Sequence, residues 1–173
     1  MYAKRLGEVL PHRAIDVLRG IEGARAKMMY RLLAEQYGIE WHGRNFDRTN
    51  PSQDDLPNQA INHAAATVQA AAALAVQSVG ALPQLGFIHE DSGQSFVLDI
   101  ADLFRDQITL PIAFSVAKKP IEGNDQTIDR QIRRQASQMF RQKSVIPAMI
   151  TAIKDLLQLE DKHGNDNYCG KQR

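Results

Sequence analysis

Cysteine occurs once, at Cys169, so the chain can form no internal disulfide. That fits a reducing compartment, and a cytoplasmic location is the expectation. Tryptophan also occurs once, and aromatic residues make up only 6% of the 173. Charge of one sign is missing too, because the net charge is only +1. A polybasic protein is thereby excluded, and any nucleic-acid surface must come from arginines clustered locally. No long apolar run is present. The nearest candidate, residues 64–79, is alanine-rich and broken by Thr67, Gln69, Gln77 and Ser78. It is too weakly hydrophobic for a membrane span, so no membrane partner is expected. The opening MYAKRLGEVLPHR lacks the apolar core of a signal peptide. No internal repeat is evident.

What is present is a globular composition, 43% hydrophobic, whose periodicity is helical. Residues 16–37 predict a first helix with Leu18, Ile21, Met28, Met29, Leu32 and Leu33 inward and Gly38 as its C-cap. Gly20 and Gly23 weaken that helix, which suggests close approach of another backbone or a ligand. Glu22 lies between them. On a helical wheel it shares a side with Leu18, Ala26, Met29 and Leu33.

Residues 40–55 read as a polar loop in which Trp41 and Phe46 alternate with Arg44 and Arg48. Asp55 and Pro57 then start a second helix running to about residue 80. Its alanines mark it as the central, buried element. After Leu82-Pro83, residues 85–89 read as a short extended piece. Further helices are expected from Ser95 to about residue 106, after Thr109, over 127–142 and over 144–159. Arg130, Arg133, Arg134 and Arg141 give the third of these, over 127–142, a basic side. The expected organisation is a linker remnant over 1–15, a helical domain over 16–160 and a disordered tail over 161–173.

Chemistry concentrates in residues 86–104, GFIHEDSGQSFVLDIADLF. Asp99 and Asp102, three apart, share one face of a helix. Carboxylates among apolar neighbours need a reason, since burying them unpaired is costly. A bound metal, a partner arginine such as Arg105, or exposure at the edge of the apolar face would each supply one. His89 ends the apolar segment before them.

Residues 19–47, RGIEGARAKMMYRLLAEQYGIEWHGRNFD, and 86–114, GFIHEDSGQSFVLDIADLFRDQITLPIAF, resemble the catalytic domain of the CRISPR-associated integrase. That family is the larger of the two universal Cas proteins of spacer acquisition, and the flavour is similar to type I-E. The joint signal is a Glu in RGIEG, a His in GFIH and an Asp pair in DIAD, in that order. The resemblance covers residues 2–159. It implies a mainly α fold, the helical catalytic lobe, in which Glu22, His89 and Asp102 bind one divalent metal, Mn²⁺ or Mg²⁺. Asp99 completes the catalytic set as the companion acid. Arg19 and Arg44 match DNA-contacting positions, and Arg130, Arg133 and Arg134 extend the DNA-binding set. The implied reaction is attack of a DNA 3′-hydroxyl on a repeat phosphodiester. The implied partners are double-stranded DNA (prespacer and CRISPR repeat), the smaller universal adaptation Cas protein and a second copy of the chain.

The sequence departs from that family in two ways. Met1 falls near the junction with the family's N-terminal β domain, which supplies much of the homodimer contact; that domain is expected to be missing, so homodimer assembly and full activity are in question. Leu98 also stands where the family tends to have a tyrosine. A non-catalytic helical DNA-binding or assembly module is the alternative reading.

Overall fold

The computed structural model describes residues 1, 3–4, 14–44, 55–90, 93–118 and 127–158. In chain order the helices are α1 (Ile15–Tyr37), α2 (Leu56–Ser78), α3 (Ser95–Leu103), α4 (Leu110–Ala117), α5 (Ile128–Gln142) and α6 (Val145–Leu157), with a π-helical turn, Arg105–Thr109, between α3 and α4. No strand occurs among the described residues, so the expected mainly α fold is the one found. The expected tail over 161–173 and most of the linker over 1–15 lie outside the described residues.

Helix α2 is the hub, as its composition predicts. It packs against α3, α4, α5, α6 and the π-helical turn. Ala60, Ala64, Ala72, Ala75, Val68 and Val76 are all fully buried. Alanine both favours the helix and lets four neighbours approach its axis. Asp55 starts α2, its carboxylate accepting the Asn58 backbone N–H at 2.9 Å.

Helix α1 lies at the side of this bundle, mainly against α4. With α4 as its main neighbour among the described residues, it covers only a narrow stripe. Leu18, Tyr30 and Ala34 are buried, and Ala26, Met29 and Leu33 are partly so. Ile21, Met28 and Leu32, expected inward, are instead 36%, 53% and 50% exposed. The close approach expected at Gly20 and Gly23 is also not found. A Cβ at either would meet nothing within 4 Å among the described residues. Gly38 ends α1 in the left-handed conformation at φ 66°, as expected.

Helix α3 buries Phe96, Val97, Ile100 and Ala101 and ends earlier than the sequence suggests. The cause is Pro111, which has no N–H to offer the carbonyl of Gln107. The ladder widens there instead. Thr109 N–H reaches Phe104 O at 3.3 Å, and Leu110 N–H reaches Arg105 O. The Gln107 carbonyl is satisfied by Lys143 Nζ at 3.1 Å. Helix α5 is amphipathic as expected: Ile132 and Ala136 are buried, while Arg130, Arg133, Arg134 and Arg141 are exposed.

Candidate histidine–carboxylate centre

The segment before α3 is not extended but bent at Phe87 and Ile88. Gly86 makes the bend possible. A Cβ there would lie 1.8 Å from the His89 carbonyl oxygen and 2.8 Å from Ser95 Cβ. The segment is pinned to α3 by Phe96 N–H, which donates to Pro83 O at 2.8 Å.

The bend folds over the carboxylate of Asp99, which is 1% exposed. Its Oδ2 accepts the backbone N–H groups of Phe87 at 2.6 Å and Ile88 at 3.1 Å. Its Oδ1 accepts the backbone N–H of His89 at 3.2 Å and lies 2.7 Å from His89 Nδ1. Four donors on one buried carboxylate offset its desolvation. An ionised Asp99 requires a proton on Nδ1. The neutral ring therefore presents an acceptor lone pair at Nε2. That nitrogen lies 4.0 Å from Asp102 Oδ2.

Asp102 sits one turn further along α3, with a side chain 12% exposed. Its Oδ1 accepts from Arg105 Nη2 at 2.5 Å. Burial disfavours the Arg105 charge, but Asp102, followed by Tyr30, Glu22 and Asp106, outweighs it, and the guanidinium pKa is raised. Glu22 is half-buried on the inward side of α1 and acts electrostatically on the same guanidinium. The structure thus brings His89, Asp99 and Asp102 together, while Glu22 bears on them only through its charge acting on Arg105. No group of three His, Cys, Asp or Glu side chains among the described residues is close enough to hold a metal ion.

The donor chemistry nevertheless fits a divalent ion at His89 and Asp102. An imidazole nitrogen backed by a carboxylate is the usual arrangement of a metal-binding histidine. Two donors about 2.1 Å from one ion lie roughly 3 Å apart at right angles and about 4.2 Å apart when opposed, a range that includes the observed separation. Asp99 does not belong to that donor set, because its oxygens are committed to the bend. Of the candidate acids it is the positioning one.

The arginines divide by environment. Arg44 Nη1 donates to Asn58 Oδ1 at 2.7 Å, and its Nη2 donates to Asn62 Oδ1. Asn58 is fully buried, and its Nδ2 also donates to Gly43 O at 3.1 Å and Asp55 Oδ1 at 2.9 Å. The sequence placed Asn58 in α2 without a role. A polar residue on the buried side of α2 was the available signal. Trp41 is not a free aromatic surface: it stacks on Tyr30 at 5.4 Å and meets Phe114 edge-on at 5.7 Å. Beside it a cavity of about 410 Å³ is lined by Lys27, Tyr30, Arg31, Trp41, His42 and Arg44, among others. Arg19, Arg130 and Arg134 are exposed. Arg133 is exposed but paired with Asp129, which also lies 3.8 Å from His63 Nδ1. Phe46 and Arg48 lie outside the described residues.

A helical lobe thus carries a carboxylate-backed histidine beside a second carboxylate, with arginines on neighbouring elements. The chain belongs to the Cas1 family: the model for "CRISPR associated protein Cas1" matches residues 2–161. It is 39% identical over 159 residues to the CRISPR-associated endonuclease Cas1 of Geobacter sulfurreducens, covering 91% of this chain and 50% of that one. It is 35% identical over 158 residues to the protein of the same name from Escherichia coli, again covering 91% and 50%. The chain thus spans about half the length of these relatives. Among solved structures, the crystal structure of a TtCas1–DNA complex is similar with a TM-score of 0.81 and 29% identity, over 92% of this chain and 58% of that one. No helix among the described residues is long and apolar enough to cross a membrane.

Proposed function

We propose that this chain is the catalytic domain of a divalent-metal-dependent DNA endonuclease and integrase of CRISPR spacer acquisition, working in the cytoplasm. The observation that carries the reading is the His89 ring, fixed by Asp99 through Nδ1 with Nε2 turned toward Asp102. His89 and Asp102 would hold Mn²⁺ or Mg²⁺, with Glu22 joining from α1. Such an ion would supply Lewis acidity, offsetting charge on the scissile phosphate and easing loss of the attacking hydroxyl's proton.

The reaction is a transesterification. The 3′-oxygen of a DNA end forms a bond to phosphorus as its proton leaves. The bond from phosphorus to the departing oxygen breaks, and that oxygen takes up a proton. The chain contributes mainly position and electrostatics. Arg19 and Arg44, with the arginines of α5, would hold the phosphates of prespacer and repeat. The DNA complex of the similar structure supports that partner class. The smaller adaptation Cas protein and a second copy of the chain are the further partners of this reading.

The competing reading is a helical DNA-binding or assembly module without catalysis. The observation in its favour is that Asp102 is already neutralised by Arg105. One experiment separates the two: cleavage and strand joining of duplex DNA with Mn²⁺, in the chain and in Asp102→Ala and His89→Ala variants. Activity lost in both variants supports catalysis. DNA binding without metal-dependent turnover supports the module.

A further inference from the structure

Arg105 occupies the carboxylate that a metal ion would need. Its Nη2 is 2.5 Å from Asp102 Oδ1, and the other oxygen of Asp102 faces His89 Nε2. The Asp102 side chain is only 12% exposed, so water alone does little to balance its charge. The Arg105 side chain is 34% exposed, which gives the guanidinium a route toward solvent.

We propose that Arg105 is a built-in counter-cation that competes with the divalent ion for Asp102, so that loading the centre requires Arg105 to release that carboxylate. The proposal rests on the metal reading of His89 and Asp102. The elements packed around the centre all bear on the same group. Glu22 and Tyr30 from α1, Asp102 from α3 and Asp106 from the π-helical turn each favour the charged guanidinium. An arginine keeps its proton near neutral pH, so Arg105 does not leave by losing it. A competing cation on Asp102, or a competing anion on Arg105, is what can part them. An arginine three residues after an aspartate on a helix is also an ordinary pair, so the sign of its effect on metal affinity decides the matter. A clamp that merely orients Asp102 would help the metal bind. A competitor hinders it.

The test is Mn²⁺ titration by calorimetry, with free Mn²⁺ followed in parallel by electron paramagnetic resonance. The samples are the chain and its Arg105→Met, Arg105→Lys and His89→Ala variants, each checked for folding by circular dichroism. The expected result is that Arg105→Met binds Mn²⁺ about tenfold more tightly than the parent chain, the scale of removing one competing charge from a partly buried site. Arg105→Lys, which keeps the charge, should stay closer to the parent. If Arg105→Met binds Mn²⁺ no more tightly than the parent while His89→Ala weakens binding, Arg105 is not a competitor and the metal reading stands. If His89→Ala leaves binding unchanged, the metal reading falls and the competition with it.

Discussion

Asp99 holds His89 twice, by the backbone N–H at 3.2 Å and by ring Nδ1 at 2.7 Å. One carboxylate therefore fixes both where the segment lies and which nitrogen of the ring is available. Removing it strands several buried N–H groups at once. Asp99→Ala should destabilise the chain by about 2–4 kcal/mol, given net values of about 1.5–3 for hydrogen bonds to charged groups and partial rehydration of the donors. Asp99→Asn should cost nearly as much, because its amide turns a donor toward donors. Urea unfolding measures this, with Asp102→Ala as the reference. If Asp99→Ala is no more damaging than Asp102→Ala, the positioning role is wrong.

Glycines in this chain should respond in opposite directions. Gly86→Ala places a methyl group against the His89 carbonyl. It should cost about 1–3 kcal/mol of stability, the range for overpacking, and should displace His89. Gly20→Ala and Gly23→Ala meet open space in a helix and should each stabilise by about 0.5–1 kcal/mol. Thermal unfolding of the three variants tests the contrast directly.

Asn58 ties the loop that bears Arg44 to the start of α2. Asn58→Ala should cost about 1–3 kcal/mol through unsatisfied buried groups. Arg44→Ala should also cost about 1–3 kcal/mol, because it takes the Arg44 donor from the buried Asn58 Oδ1, and should weaken DNA binding in addition. Paired unfolding and filter-binding measurements would show whether Arg44→Ala lowers affinity beyond Asn58→Ala at equal loss of stability.

On α5, salt sensitivity should distinguish exposed arginines from a paired one. If Arg130 and Arg134 contact phosphates, alanine at each should lower the slope of log affinity against log salt by about 0.9. Arg133→Ala should change it less, because Asp129 already engages that guanidinium. Asp129→Ala should strengthen DNA binding. Unchanged slopes for Arg130→Ala and Arg134→Ala would remove this helix from the DNA surface.

The pH dependence of the Arg105–Asp102 pair follows from the raised guanidinium pKa. A group whose folded pKa is raised contributes stability that is complete below its unfolded pKa and is lost only as pH climbs through the folded value. For arginine that window lies far above neutrality. The stability difference between the chain and Arg105→Met should therefore be flat from about pH 6 to pH 9. Urea unfolding at several pH values in that range would reveal any slope.

The order and type of the helices were legible because α2, α5 and α6 carry strong local signals: alanine density, an arginine face and regular isoleucines. The depth of α1 was not. Its apolar residues occupy more than one side, and only its packing against α4 decides which side is covered. That is why Leu18 is buried while Met28 and Leu32 face solvent. At the centre, the three-residue spacing of Asp99 and Asp102 placed both on one face but could not say which was enclosed. The bend at Gly86 decides it, and that bend leaves no room for a side chain there, since a Cβ would run into the His89 carbonyl and Ser95. The wheel put Glu22 on the inward side of α1 correctly. Its relation to Arg105 crosses between elements, which no local pattern encodes.

The widened turn at Arg105–Thr109 amounts to one residue spliced into a helix. Because Pro111 would still lack an N–H, deleting any one of these five residues would not restore an ordinary ladder; it would shorten the link and turn α4 relative to α3, by about 100° for a residue lost from a helix. Ile112 and Phe114, now fully buried, would swing off the hub, and Phe114 would leave Trp41. This short stretch should thus tolerate exchange of side chains far better than a change of length. A scan of single-residue deletions should find its least forgiving stretch here, immediately beyond Asp102.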